Sequence, residues 1–112
     1  MALSQEENAM QQQTIYRQGD VLILAVDAVP AGLEKEKGPV ILAEGEATGH
    51  AHRVKHRRAK MFRGTDGARY LRLPTPATVD HEEHDRIELP AGDYQIVRQR
   101  EYSPEEIRNV AD

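Results

Sequence analysis

The sequence predicts an all-β domain: a small antiparallel β-barrel or sandwich of six to eight short strands with one short C-terminal helix. Three observations lead there. Short runs rich in Val, Ile, Leu and Tyr recur between Gly- and Pro-marked breaks. An Asp-Gly pair in 64-GTDG-67 stands between two such runs, a hairpin signal. Aromatics are scarce, with one Phe, four Tyr and no Trp, so the core must be built from Val, Ile and Leu.

The elements follow in chain order. Residues 1–13 are polar and Gln-rich; Ser4 and Glu7 match a capping box, but no apolar stripe is there to dock, so this stretch reads as a mobile tail. A single domain then runs over 14–112. Tyr16 and Arg17 lead into Gln18-Gly19-Asp20, a turn-like entry to 21-VLILAV-26, which reads as a strand buried on both faces. Pro30-Ala31-Gly32 is a turn, and Lys37-Gly38 close a charged connector. The run 39-PVILAEGE-46 is a strand that opens on proline, where proline is tolerated. Gly45 and Gly49 bracket a bend before a strand at about His50–Lys55. The runs 59-AKMFR-63 and 68-ARYLRL-73 form the Asp-Gly hairpin. Strands follow at Ala77–Asp80 and in 86-RIEL-89, and 90-PAGD-93 turns the chain into 94-YQIVRQREY-102. That last run puts Tyr94, Ile96, Arg98 and Arg100 on one face, a mixed pattern expected near a rim. Finally 103-SPEEIRNV-110 opens a helix, with Ser103 as N-cap, Pro104 at the first helical position and Glu105 and Glu106 in the first turn. Ile107 and Val110 would face inward and close one end of the domain.

Composition removes several function classes. With no cysteine, there is neither a disulfide framework nor a thiolate metal site or nucleophile. The two serines, Ser4 and Ser103, fall in the tail and at a helix cap, which argues against a serine hydrolase. P-loop, dinucleotide-binding and nucleophile-elbow motifs are absent. The N-terminus has no apolar signal-peptide core, and 21-VLILAV-26 is too short to span a bilayer. A cytoplasmic protein without a membrane partner is expected; a homo-oligomer is compatible with the sequence.

All five histidines fall in 45-GEATGHAHRVKHRR-58 and 80-DHEEHDR-86. His50 and His52 are two apart, so on a strand both imidazoles point to one face and can converge on one ion. His81 and His84 are three apart, which suits a turn. Joined, the four form a candidate site for a divalent transition metal, and His/carboxylate donors without thiolate suit Zn, Fe, Mn, Ni or Cu. Four bound histidines would close a tetrahedral site; three would leave a position open for water or substrate, with Glu82 or Glu83 as general base. His56 joins His52 only if the strand stays regular through Lys55. The competing reading is a histidine-bearing polar surface that binds nothing.

The stretch GEATGHAHR resembles the opening of a cupin metal motif, in which glycine precedes an HxH pair on a barrel strand. It departs from that motif in having no acid within 53-RVKHRRAK-60 and no histidine after 90-PAG-92. More broadly, QGDVLI, TGHAHR, HEEH, LPAGDY and QREYSPEEIRNVAD resemble a group of small uncharacterised bacterial proteins, a likeness that implies no activity.

Charge is polarised although the net value is only −4. Arg53, Lys55, Arg57, Arg58, Lys60, Arg63, Arg69 and Arg72 are opposed by Asp66 alone, while 80–112 is acidic. A basic face on successive strands would grip RNA or DNA phosphates in a salt-dependent way, with Phe62 and Tyr70 as stacking platforms. A histidine-based ribonuclease using His52 and His84, with Tyr102 or Arg100 stabilising charge, falls within that alternative. Otherwise these bases pair with the acids across strands. A third alternative is a non-catalytic accessory protein whose surface docks another protein.

Overall fold

The computed structural model describes residues 13–45 and 49–99, so the expected C-terminal helix and nearly all of the tail lie outside the described residues. Ten strands are present: β1 Ile15–Gln18, β2 Val21–Val26, β3 Glu34–Lys35, β4 Val40–Glu44, β5 Ala51–Val54, β6 Lys60–Arg63, β7 Arg69–Leu73, β8 Ala77–Asp80, β9 Ile87–Leu89 and β10 Gly92–Arg98. They form a six-stranded sheet, in the order β1-β2-β10-β7-β6-β3, and a four-stranded sheet, β4-β5-β8-β9, with every pairing antiparallel.

The all-β class holds, but the barrel does not: the sheets remain separate, each with its own two edges. The chain changes sheet between β3 and β4, β5 and β6, β7 and β8, and β9 and β10. Three of those crossings carry proline, at Pro39, at Pro74 and Pro76, and at Pro90. Proline has no N–H to give a ladder, so pairing stops where the chain must leave its sheet. Two strands escape the sequence reading. In β1 only Gln18 is buried, and β3 is a two-residue exposed pair, so neither offers an apolar alternation.

One core joins the sheets. Val21 and Ile23 of β2, Leu71 and Leu73 of β7 and Tyr94 and Ile96 of β10 meet Leu42 and Ala43 of β4, Val54 of β5, Val79 of β8 and Leu89 of β9. As expected, β2 is buried on both faces, from Val21 through Leu24. The hairpin also forms as read: β6 and β7 pair from Lys60↔Arg72 to Arg63↔Arg69, with Gly67 at φ +87 and Asp66 Oδ1 accepting the Ala68 N–H. The mixed run at 94–98 is not at a rim. It is the central β10, flanked by β2 and β7, and its Tyr94–Ile96 face looks into the core. Among the described residues no helix is long and apolar enough to cross a membrane.

Candidate metal centre

The two histidine windows meet at one end of the sheets. His52 lies in β5 and His50 just before it; His81 and His84 lie in the loop from β8 to β9, and β5 pairs with β8 through Arg53↔Asp80. β8 thus ends opposite Arg53, and the loop that follows runs on beside the start of β5, where Glu82 accepts the Ala51 N–H. A β-bulge between Ile41 and Ala43 sets Ala43 opposite His52, and Gly45 N–H donates to His50 O at 2.8 Å, holding the bend.

His81 sits at the middle of the cluster. Its ring centroid is 5.7 Å from that of His50, 4.3 Å from His52 and 4.6 Å from His84, and His52 and His84 are 5.8 Å apart. Imidazoles sharing one tetrahedral ion have centroids roughly 5 Å apart, given metal–nitrogen bonds of about 2.0–2.1 Å. Among the described residues His50, His81 and Glu82 form a group that could hold a metal ion, with one ligand atom from each within 4.8 Å of the others; His52 and His84 stand beside it and fall outside that spacing.

The hydrogen bonds fix two of the rings. His52 is 2% exposed, and its Nδ1 lies 2.7 Å from Gln18 Oε1. Gln18, also buried, spends its amide N–H groups on Val79 O and Asp85 O, each at 2.9 Å, which leaves Oε1 as an acceptor. His52 therefore donates from Nδ1 and keeps a lone pair on Nε2, the arrangement that outer partners of metal-bound histidines impose. Burial first, and then His81, push the His52 pKa down to about 4 despite Asp20, so the ring is neutral at pH 7. His50 is set in the same sense, with Nδ1 at 2.7 Å from Glu83 Oε1. His81 differs: its Nδ1 accepts the N–H groups of Glu83 at 3.0 Å and His84 at 3.3 Å, capping the turn. Ligation through its Nε2 requires a proton shift to Nδ1 and release of those two donors.

The two candidate bases separate. Glu82 accepts the Ala51 N–H at 2.9 Å and pairs with Arg53 at 2.5 Å, and these contacts hold its pKa at about 2. It is a weak proton acceptor but a firm anionic donor, since its carboxylate keeps lone pairs beyond those two bonds. Glu83 is the more exposed and touches His50. His56 stands apart from the cluster. Both its ring nitrogens are engaged, Nε2 with Thr75 Oγ1 at 2.5 Å and Nδ1 accepting the Arg58 N–H at 3.0 Å.

Three residues of the site were not singled out by sequence reasoning: Gln18, Asp20 and Arg98. With Gly19, His50, His52, His81, Glu83 and His84 they edge an open cavity of about 530 Å³, apart from Gln18, which backs His52 from the buried side. The signal for Arg98 was present in its sharing a strand face with Tyr94 and Ile96. Gly19, at φ +59, gives the close approach: a Cβ there would lie 2.5 Å from His84 Nε2.

The basic segment divides. Arg69 donates to both Glu36 oxygens and to Leu42 O and Ile41 O; Arg63 joins it on Glu36. Arg72 reaches Asp93 at 3.4 Å and lies over the Phe62 ring at 5.3 Å, and Arg53 is paired with Glu82. Lys55, Arg57, Arg58 and Lys60 form no ion pair among the described residues; the first three lie in the exposed crossing after β5 and Lys60 opens β6, so they do not share one continuous strand face. The bases thus do not form one stripe.

Residues 17–99 match the model of a domain of unknown function, DUF8820, and the chain belongs to that family. No curated protein and no solved structure matches it.

Proposed function

We propose that this DUF8820 protein binds one divalent transition metal through His50, His52, His81 and His84, with Glu82 as an additional carboxylate donor. One observation carries this reading: His52 is buried, uncharged and held by Gln18 with its Nε2 turned to a cavity edged by three more imidazoles. A ring fixed through Nδ1 with its Nε2 lone pair toward an open cavity is already oriented to ligate, so little ordering is lost when an ion binds. The donors suit Zn, Fe, Mn, Ni or Cu. Should His81 keep capping its turn and Glu82 stay with Ala51 and Arg53, three histidines remain and leave a fourth position open, and Glu83 is then the better placed proton acceptor for metal-assisted chemistry.

The test is metal content of the untagged protein by elemental analysis, followed by titration with these five metals. Wild type should carry or take up about one equivalent; His50→Ala/His52→Ala should lose it. Gln18→Leu should weaken uptake by about 10–100-fold while leaving all four histidines in place. Absence of uptake of every metal by folded wild type refutes the reading.

A second reading has its own observation. Lys35, Lys37, Arg57 and Lys60 surround a separate cavity of about 440 Å³ whose one acid, Glu36, is already spent on Arg63 and Arg69. That cleft, rather than the whole 53–72 face, is where RNA or DNA phosphate would bind in a salt-dependent manner.

A further inference from the structure

We propose that the metal centre receives a small oxyanion, a carboxylate or phosphate group, and that Arg98 is its protein partner. The proposal rests on the metal-binding reading for its charge argument, but the anion site has geometry of its own. Arg98 ends β10, its side chain is 20% exposed, and it edges the same cavity as the four histidines. One guanidinium nitrogen is used: it donates to Glu44 O at 2.9 Å and lies 3.5 Å from Asp20 Oδ2. Its Nε is buried and has no partner among the described residues. An orphaned buried donor on a charged group is an expensive feature that a ligand accepting from the guanidinium edge, after a small rotation of the side chain, would relieve.

Charge points the same way. A guanidinium beside a divalent ion lowers the ion's affinity unless an anion accompanies it. Asp20 is the carboxylate between them, with Oδ1 3.9 Å from His52 Nε2 and Oδ2 3.5 Å from Arg98. It offsets one positive charge. Glu82 is balanced by Arg53 even as a metal donor, and Glu83 at the cavity edge offsets a second positive charge, against three from the divalent ion and Arg98. With a metal present the cavity keeps a net positive charge, and its volume of about 530 Å³ leaves room for a small anion beside an ion. An anion with two oxygens along one edge, as in a carboxylate or a phosphate, matches both demands, one oxygen toward the metal and the other to the guanidinium.

The experiment titrates inorganic phosphate and malonate separately into the full-length protein by calorimetry, metal-free and zinc-loaded. The proteins are wild type, Arg98→Lys and Arg98→Gln, with folding checked by circular dichroism. Zinc-loaded wild type should bind at least one anion; Arg98→Gln should weaken it by about tenfold or more, and Arg98→Lys by less. Zinc alone should bind Arg98→Gln as tightly as wild type or more tightly, which a merely structural clamp on β4 does not predict. Preference for phosphate or for malonate identifies the ligand class. Equal anion affinity in wild type and Arg98→Gln overturns the proposal, as does no anion binding by folded wild type in either state. If wild type takes up none of the five metals, the metal reading fails by itself; Arg98-dependent anion uptake by the metal-free protein then still upholds the anion site. If Arg98→Gln does not fold, Arg98→Lys carries the comparison.

Discussion

Two polar clusters face different fates in this fold. Around Glu36, Arg69 uses its guanidinium on two carboxylate oxygens and two backbone carbonyls, and Arg63 adds a further contact. Arg69 in β7 thereby ties itself to the carbonyls of β4 in the other sheet, and Glu36 is held below the usual carboxylate range, chiefly by its hydrogen bonds to Arg69. Around His52 the same wealth of polar groups is left open: Nε2 of His52 and Nε of Arg98 have no hydrogen-bond partner among the described residues, and a cavity lies beside them. In sequence the arginines were as conspicuous as the histidines. Residue type concentrates in both; satisfaction separates a structural clamp from a binding site.

Three experiments press on that contrast. The largest effect belongs to the clamp. Arg69→Met leaves Glu36 without its main partner and frees two carbonyls, and should cost about 3 kcal/mol in urea denaturation with metal uptake unchanged. A loss below about 1 kcal/mol would put Arg69 with ordinary surface pairs. Next comes pH in the metal-free protein. The His52 pKa is depressed in the fold, so the unfolded chain binds its proton first as pH falls. Stability should therefore be full above about pH 6.5 and decline toward pH 4, by on the order of 2–3 kcal/mol if His52 alone acts. Glu82, also depressed, adds a loss that begins below its ordinary value and runs toward its folded pKa of about 2. His52→Gln should flatten the upper part of the profile; an unchanged slope would show that another group sets it. The smallest effect is Gly19→Ala, which meets both a φ of +59 and the His84 ring, and should cost about 1 kcal/mol while displacing His84. Thermal melts and the NMR shifts of the His84 ring report the two parts separately.

Much of this was legible in the sequence because it is local. The doubly buried β2, the Asp-Gly hairpin and the alternation in β7 declare themselves within a few residues. So did the convergence of His50, His52, His81 and His84, though only as a conjecture joining two windows. What was not legible is pairing over distance. The choice between barrel and sandwich stayed open, with only the closed barrel excluded by the structure, because periodicity fixes which face a residue takes but not which sheet its strand joins. Gln18 read as part of a turn, yet its amide bridges β5, β8 and the loop after it; that role appears only when β1 is seen against the other sheet. Glu82 read as a base because it lies between two histidines, while its actual neighbours, Ala51 and Arg53, come from β5.

The placement of β10 has a consequence for how the chain reaches its native state. Val21 pairs with Arg98, so the strand that opens the larger sheet's core is completed by nearly the last described residue. Asp20 and Arg98 are brought to the cavity by that single long-range junction, and Gln99 N–H seals it on Asp20 O at 2.6 Å. Such a junction closes a large loop and forms late and slowly. On a ribosome, a growing chain that has emerged only through the histidines would own every imidazole and still lack the wall they face. Capture of an ion or an anion at full strength would then report that β10 has joined β2.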